Sequence, residues 1–338
     1  MSSPPHSAEP PNLHFHDLGP TPADFRAAVI TGLSRHPRQL SPRFFYDEKG
    51  SALFDLITRL PEYYPTRTEI ELLRRHGAEI AALLGHGGLL IELGSGSNDK
   101  IRVLLDAVQP AAYLPIDISG AHLRASARAL AADHPHMQVH ALCADYTRPF
   151  ALPTALADLR RAAFYPGSSI GNFEPAQARQ LLQRVASLLG PGGRLLIGVD
   201  LQKPVAILEA AYDDAQGVTA RFNRNLLVRM RDELGADVLP EDFSHLARYN
   251  HEAGRIEMHL TATRPLSIGL DAHRFDFAQG DGIHTENSYK YTLAGFEALA
   301  GLAGFTRLEA WCDEQRLFSV HCLEVREVSG DLPAQRMG

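Results

Sequence analysis

The sequence predicts an α/β protein: a doubly wound parallel sheet with an antiparallel C-terminal edge hairpin, plus a second, smaller α+β domain. Three observations carry that prediction. A fully apolar strand with one acid, Leu89–Leu93, runs into Gly94-Ser95-Gly96 and then a polar helix start, which is how a buried parallel strand delivers its backbone to a ligand. Strand-like and helix-like patterns alternate from about residue 68 to 200, and helices of that length between strands imply parallel pairing. Near the C-terminus two strand-like runs, 305–311 and 317–325, stand too close together for a crossover and read as a hairpin.

Taken in order, the first strand (Leu89–Leu93) is followed by a helix after Asn98 and a second strand over 112–118. An Ala- and Leu-rich amphipathic helix over 121–132 leads to a third strand at 139–144 and a fourth at 162–166. Pro at the first turn marks the helix Pro175–Leu189, Gly190-Pro191-Gly192-Gly193 ends it, and Arg194–Asp200 is the fifth strand. The stretch between that strand and the hairpin is far too long for a connection. Within it 220–234 reads as helix and 256–263 alternates like a strand, so a second domain is inserted. The expected division is a mobile tail over 1–18, a main domain from 68–200 and 287–338, and a smaller one from 19–67 and 201–286.

Composition narrows the class. The 338 residues are 45% hydrophobic and 22% charged, with a formal net charge of -7, so nucleic-acid binding finds no basic support. No run of about 18 apolar residues could span a membrane, and the N-terminus does not read as a secretory signal. Three cysteines without a CxxC pair suggest a reducing, cytoplasmic setting and no structural zinc. His6, His14 and His16 lack partner carboxylates or cysteines nearby, so they read as a solvated tail rather than a metal site.

The strand ends suggest the ligand. The third glycine of a dinucleotide fingerprint would fall at Asp99, and an acid there disfavours a pyrophosphate. It suits a ligand with positive charge and no phosphate, such as S-adenosylmethionine (SAM). Asp117 ends the second strand, where an acid accepts from ribose hydroxyls; helix capping near Ser119 is the plainer alternative. Asp145-Tyr146 ends the third, placing an acceptor for an adenine amino group beside a ring that packs on the base. Lys100 offers a cation for the ligand's carboxylate. By spacing alone a nicotinamide dinucleotide stays possible.

Longer motifs go further. Phe45-Tyr46-Asp47-Glu48-Lys49-Gly50-Ser51, Leu60-Pro61-Glu62-Tyr63-Tyr64-Pro65-Thr66-Arg67-Thr68-Glu69 and Glu92-Leu93-Gly94-Ser95-Gly96 are long and unusual. So are Gly167-Ser168-Ser169-Ile170-Gly171-Asn172, Ala211-Tyr212-Asp213-Asp214, Phe222-Asn223-Arg224-Asn225 and Thr285-Glu286-Asn287-Ser288-Tyr289-Lys290. With them the chain resembles the SAM-dependent histidine Nα-methyltransferases of ergothioneine biosynthesis, which form the trimethyl betaine hercynine, over nearly all of its length after about residue 25. The resemblance implies a class I, Rossmann-like SAM methyltransferase sheet with a smaller substrate domain. It puts Gly94, Lys100, Asp117, Asp145 and Tyr146 on SAM-binding positions and Tyr63, Asn172, Tyr212, Glu286 and Ser288 on histidine-binding positions, with Gly167 and Tyr46 in the same pocket. Tyr146 stands where the family often has Phe, and Asn287 where smaller apolar residues also occur.

Those residue types suit methyl transfer. A carbon activated by a sulfonium needs only an uncharged amine placed in line, without a covalent nucleophile. Asn172 and Tyr212 can donate to a carboxylate, Glu286 can accept from an imidazole N–H, and Ser288 can donate to the other ring nitrogen. In an extended segment Glu286 and Ser288 share a face. Tyr46, taken as the catalytic residue, and Tyr63 offer ring faces and hydroxyls to a nitrogen that gains methyl groups and charge. The expected protein is a metal-free monomer acting on L-histidine, with neither nucleic acid nor membrane as partner. The alternatives are a SAM-dependent N-methyltransferase for another amino acid or amine, a nicotinamide-dependent oxidoreductase, and a non-catalytic sensor of histidine or SAM.

Overall fold

The computed structural model describes residues 9–19, 22–96 and 98–327. Its frame is an eight-stranded sheet. In chain order its strands are β1 (Leu13–Asp17), β3 (Leu89–Leu93), β4 (Ala112–Asp117), β5 (Gln138–Cys143), β6 (Arg161–Tyr165), β7 (Arg194–Asp200), β13 (Phe305–Cys312) and β14 (Phe318–Val325). They lie in the order β1-β5-β4-β3-β6-β7-β14-β13. All neighbours are parallel as far as β7, and β14 and β13 then run antiparallel. The parallel α/β sheet with an antiparallel edge pair is therefore as the sequence predicts. Every residue of β3 is buried, as expected of a central strand covered on both faces.

A second sheet of four strands joins β2 (Arg38–Gln39), β12 (Gly282–Tyr289), β9 (Arg255–Ala262) and β8 (Phe243–Asn250), while β10 (Leu266–Leu270) and β11 (His273–Phe277) form a separate hairpin. Against these pack α1 (Pro22–Leu33), α2 (Glu48–Ile57), α8 (Val205–Tyr212) and α9 (Val218–Leu234). Phe45 and Phe222 pack as tilted rings, centroids 4.5 Å apart, in the core they share. Burying a ring contributes about 1.5–3 kcal/mol, which pins the turn Pro42–Phe45 to α9. The helices of the large sheet are α4 (Gly77–Leu84), α5 (Asn98–Val108), α6 (Gly120–Asp133), α7 (Pro175–Leu189) and α10 (Leu293–Leu302), and two further apolar clusters fill its two faces. α3 (Tyr64–Arg75) bridges the two parts: Tyr64 packs into the core of the smaller one, Leu72 and Leu73 into that of the large sheet.

Two expectations need correction. The mobile tail expected over 1–18 is in part a strand: β1 pairs in parallel with β5 from Leu13–Val139 to Asp17–Cys143. The physical reason is Asn12, whose side-chain amide donates to the carbonyls of Ala131 (3.0 Å), His134 (3.1 Å) and Met137 (2.8 Å). Leu13 then buries its side chain in the core. His14 and His16 stack with His140 at 4.5 and 5.8 Å and are not part of a solvated tail; His6 lies outside the described residues. The boundary expected after residue 286 falls inside β12, which stays paired with β9 through Tyr289.

Candidate active site

The chain ends of β3, β4, β5 and β6 open onto a cavity of about 500 Å³. Gly94, Lys100, Asp117, Asp145 and Tyr146 all line it. The topology puts them there: they follow successive parallel strands at the edge where an α/β sheet takes its ligands. Asp117 accepts from the Ser119 backbone N–H at 2.8 Å, so the helix-capping role exists beside its place in the cavity wall. Burial pushes its carboxyl up to about 6, with the Ser119 N–H opposing. Asp145 accepts from Thr147 N–H at 3.0 Å and from Arg43 at 2.7 Å. Tyr146 and Tyr165 meet edge to face, hydroxyls 3.3 Å apart, and burial pushes the Tyr146 phenol up to about 12.

A second, smaller cavity of about 50 Å³ adjoins the first. Tyr46, Tyr63, Gly167 and Asn172 line both, while Tyr212 and Glu286 line only the small one. Ser288 reaches the group through Tyr212, hydroxyl to hydroxyl at 2.7 Å. The Asn172 amide nitrogen faces Glu286 Oε1 at 3.3 Å and the Asn287 carbonyl at 3.0 Å. All the substrate-side residues named from the sequence thus meet at one place.

Local backbone explains why. After β6 the chain turns at Gly167, with φ of 73°, into Ser168, whose φ of 56° is unusual for a residue with a side chain. Ser168 Oγ accepts the Asp200 N–H at 2.9 Å, which holds that turn against β7. At Gly171 a Cβ would lie 2.9 Å from the Tyr289 carbonyl oxygen, so glycine lets Asn172 come up against β12.

The electrostatics are dominated by burial. It pushes Glu286 up to about 7, against the charge of Lys290 and the Asn172 hydrogen bond. Glu92, which lines the larger cavity and accepts from the Tyr113 hydroxyl, is likewise pushed up to about 7. Burial holds the Tyr46 hydroxyl well above its usual range, with Glu286 adding to the effect, so it stays protonated. Aromatic rings surround it: Tyr46 meets Phe54 and Phe222 edge-on at 5.7 Å, and Phe54 meets Tyr63 at 6.1 Å.

Several polar residues of the site were not singled out from the sequence. Lys100, expected to face a ligand carboxylate, is paired at 2.7 Å with the fully buried Glu69, which also accepts the Gly167 N–H at 2.9 Å. Arg43, from the turn Pro42–Phe45, reaches across to Asp145. Behind Ser288, Asp200 sits between two lysines: Lys290 (2.6 Å) and Lys203 (2.5 Å). Glu69 and Lys290 close two of the motifs quoted above, and that position was the available signal.

The family model for histidine-specific, SAM-dependent methyltransferases matches residues 25–325. This chain belongs to that family. The chain is similar to the histidine N-alpha-methyltransferase of Mycolicibacterium smegmatis, 41% identical over 294 residues, or 85% of this chain and 91% of that protein. The protein of the same name from Mycobacterium tuberculosis is 40% identical over 295 residues, 86% and 91% of the two chains. Ergothioneine biosynthesis protein 1 of Neurospora crassa is 32% identical over 284 residues, which is 81% of this chain and 32% of that longer protein. A histidine-specific methyltransferase of this family is SAM-dependent, and the large cavity at the strand ends fits that ligand in size and polarity. Its acids can accept from ribose and adenine, and no phosphate has to be met by Asp99.

Proposed function

We propose that this enzyme transfers three methyl groups from SAM to the α-amine of L-histidine, giving hercynine. The observation that carries the reading is the small cavity in which Glu286, Asn172, Tyr212 and, behind it, Ser288 converge beside the larger one, in a chain of a histidine-specific family.

SAM supplies an electrophilic methyl carbon. In this reading Asp117 holds its ribose, Asp145 and Tyr146 its adenine, and Lys100 its carboxylate, while Gly94 lets it approach the backbone. Lys100 is held ready for that contact by Glu69. Asn172 holds the histidine carboxylate, and Glu286 and Ser288 the imidazole; Tyr212, expected at the carboxylate, stays bonded to Ser288 and sides with the ring. A side chain without ring nitrogens would leave Glu286 with the Asn172 amide as its partner and no ring N–H to accept, which costs about 1–3 kcal/mol.

The amine loses a hydrogen at each round, so the site cannot depend on its N–H bonds. The ring faces of Tyr46, Tyr63, Phe54 and Phe222 provide an environment that tolerates methyl groups and attracts the cationic product, at roughly 0.5–2 kcal/mol per contact. Tyr46 is the proposed catalytic residue, and it acts through a neutral hydroxyl and ring rather than as a phenolate. The same reading takes the enzyme to be a monomer in the cytoplasm that needs no metal, and to divide into a methyltransferase and a substrate domain.

The test is mass spectrometry of the protein incubated with SAM and all twenty amino acids. Depletion of histidine, with gains of one, two and three methyl groups, is expected. Methylation of a different amino acid would keep the SAM site and overturn the Glu286–Ser288 assignment.

A further inference from the structure

Tyr212 and Ser288 share a third partner that the mechanism above does not use. Lys290 has a fully buried side chain, and its Nζ donates to Asp200 Oδ2 (2.6 Å), Ser288 Oγ (2.7 Å) and Tyr212 Oη (3.2 Å). An ammonium carries three protons and accepts nothing, so these three bonds use it fully.

The consequence is a fixed direction for the hydroxyl protons. Ser288 Oγ and Tyr212 Oη both accept from Lys290, and they lie 2.7 Å apart. One of their two protons makes the bond between them. The other has no acceptor in Lys290. Asp200 is already engaged: Lys203 and Tyr64 donate to Oδ1 at 2.5 and 2.7 Å, and Lys290 and Tyr64 to Oδ2 at 2.6 and 2.8 Å. The remaining O–H is therefore left for whatever enters the small cavity.

We propose that Lys290 is a positioning residue for substrate specificity: it makes the Ser288–Tyr212 pair present one hydroxyl donor to the cavity, opposite the Glu286 acceptor. One donor and one acceptor are the complement of a neutral imidazole, which has one ring N–H and one ring lone pair. The proposal rests on histidine being the substrate. Without Lys290 each hydroxyl can turn and accept, and the pair no longer distinguishes a ring with a lone pair from one without.

Folding alone does not account for this lysine. Lys203 already pairs with Asp200 at 2.5 Å, so Lys290 brings a second buried cation to one carboxylate. Burial pushes Lys203 down to about 8, with Lys290 repelling it. Taking a further charge out of water costs stability, and substituting Lys290 leaves the Asp200–Lys203 pair intact rather than an orphaned acid.

The experiment compares wild type, Lys290→Met, Ser288→Ala and the double variant on histidine and on 3-(2-thienyl)alanine, whose five-membered ring has no nitrogen. In Lys290→Met the histidine-to-thienylalanine ratio of kcat/KM is expected to fall at least about tenfold. The fall should lie in KM for histidine, with kcat within about threefold and SAM affinity by calorimetry within about twofold. The double variant should be no worse than the poorer single one, because both act through one hydroxyl pair. An equal loss on both substrates, or losses that multiply, would overturn the proposal. If Lys290→Met does not fold, Lys290→Gln replaces it, with the same fall expected and an unchanged ratio counting against the idea. Wild type that binds SAM but leaves histidine unmethylated overturns the functional reading itself, and does so before any variant is compared.

Discussion

At the scale of the residue, burial rather than residue type gives the site its character. Glu286 has a carboxyl raised from 4.5 to about 7. Between those values the native state keeps a proton that the unfolded chain has released, so this group's contribution to stability falls as pH rises through that window and is level above it. Glu286 is only half-buried, so solvent screens part of the charge, and the cost at pH 8 is about 1–3 kcal/mol. Glu286→Gln is therefore expected to raise the melting temperature of the ligand-free protein by several degrees at pH 8 and by little at pH 4.5, while lowering kcat/KM for histidine at least about a hundredfold. Calorimetry at the two pH values checks the first part, and steady-state kinetics the second. Tyr46 carries a different expectation. Its phenol stays protonated across the working range, so Tyr46→Phe should retain SAM binding and slow at least one methylation step. Its pH–rate profile should keep the wild-type shape. Rates unchanged from wild type for all three methyl additions would remove Tyr46 from the mechanism.

At the scale of the element, β1 shows how a short polar anchor recruits a strand. Asn12 is 6% exposed and spans three carbonyls at the end of α6 and the loop into β5. Asn12→Ala leaves those buried acceptors without their donor, at about 1–3 kcal/mol. The measured consequences should be a lower urea midpoint and faster hydrogen exchange of the Leu13–Asp17 amides. Because two strands, β5 and β4, separate β1 from β3, kcat/KM should stay within about twofold. Unchanged exchange would mean that β-pairing alone holds the strand.

At the scale of the whole molecule, the larger cavity is closed by both parts of the chain. Arg43 comes from the turn beside α2 and meets Asp145 at 2.7 Å beyond β5; Arg255 of β9 meets Glu174 before α7 at 2.6 Å. SAM at a hundredfold excess over Kd adds about 2.7 kcal/mol to stability. Arg43→Ala should weaken SAM at least about threefold by calorimetry and shrink that thermal shift, since it cuts the link between this turn and Asp145 across the cavity wall. An unchanged Kd would show that Thr147 and Arg148 hold the Asp145 end without Arg43.

The large sheet was legible because its signals are local. Apolar strands such as Leu89–Leu93, glycine turns and helix-period runs each state their own structure, and the C-terminal hairpin declares itself by its short turn. The smaller sheet was only partly legible. β9 alternates visibly, but β2 has two residues and β8 and β12 mix buried and open positions irregularly, β12 across a bulge between His284 and Glu286. The candidate site divides in the same way. Its residues stand at strand ends or inside long motifs, so their identities could be read in one dimension. Their partners could not: Glu69 lies 31 positions from Lys100 and Asp200 lies 90 from Lys290, and no local pattern records such a pairing. Sequence by itself determined the parallel strands from β3 to β7, the C-terminal hairpin, the turn chemistry and the residue types that meet a ligand, because these follow from neighbours along the chain. Only the tertiary structure decided which carboxyls are lifted toward neutrality, which lysine lies behind Ser288 and that a strand begins at Leu13. Desolvation and hydrogen-bond partnership depend on what the fold brings near, not on what is adjacent in the chain.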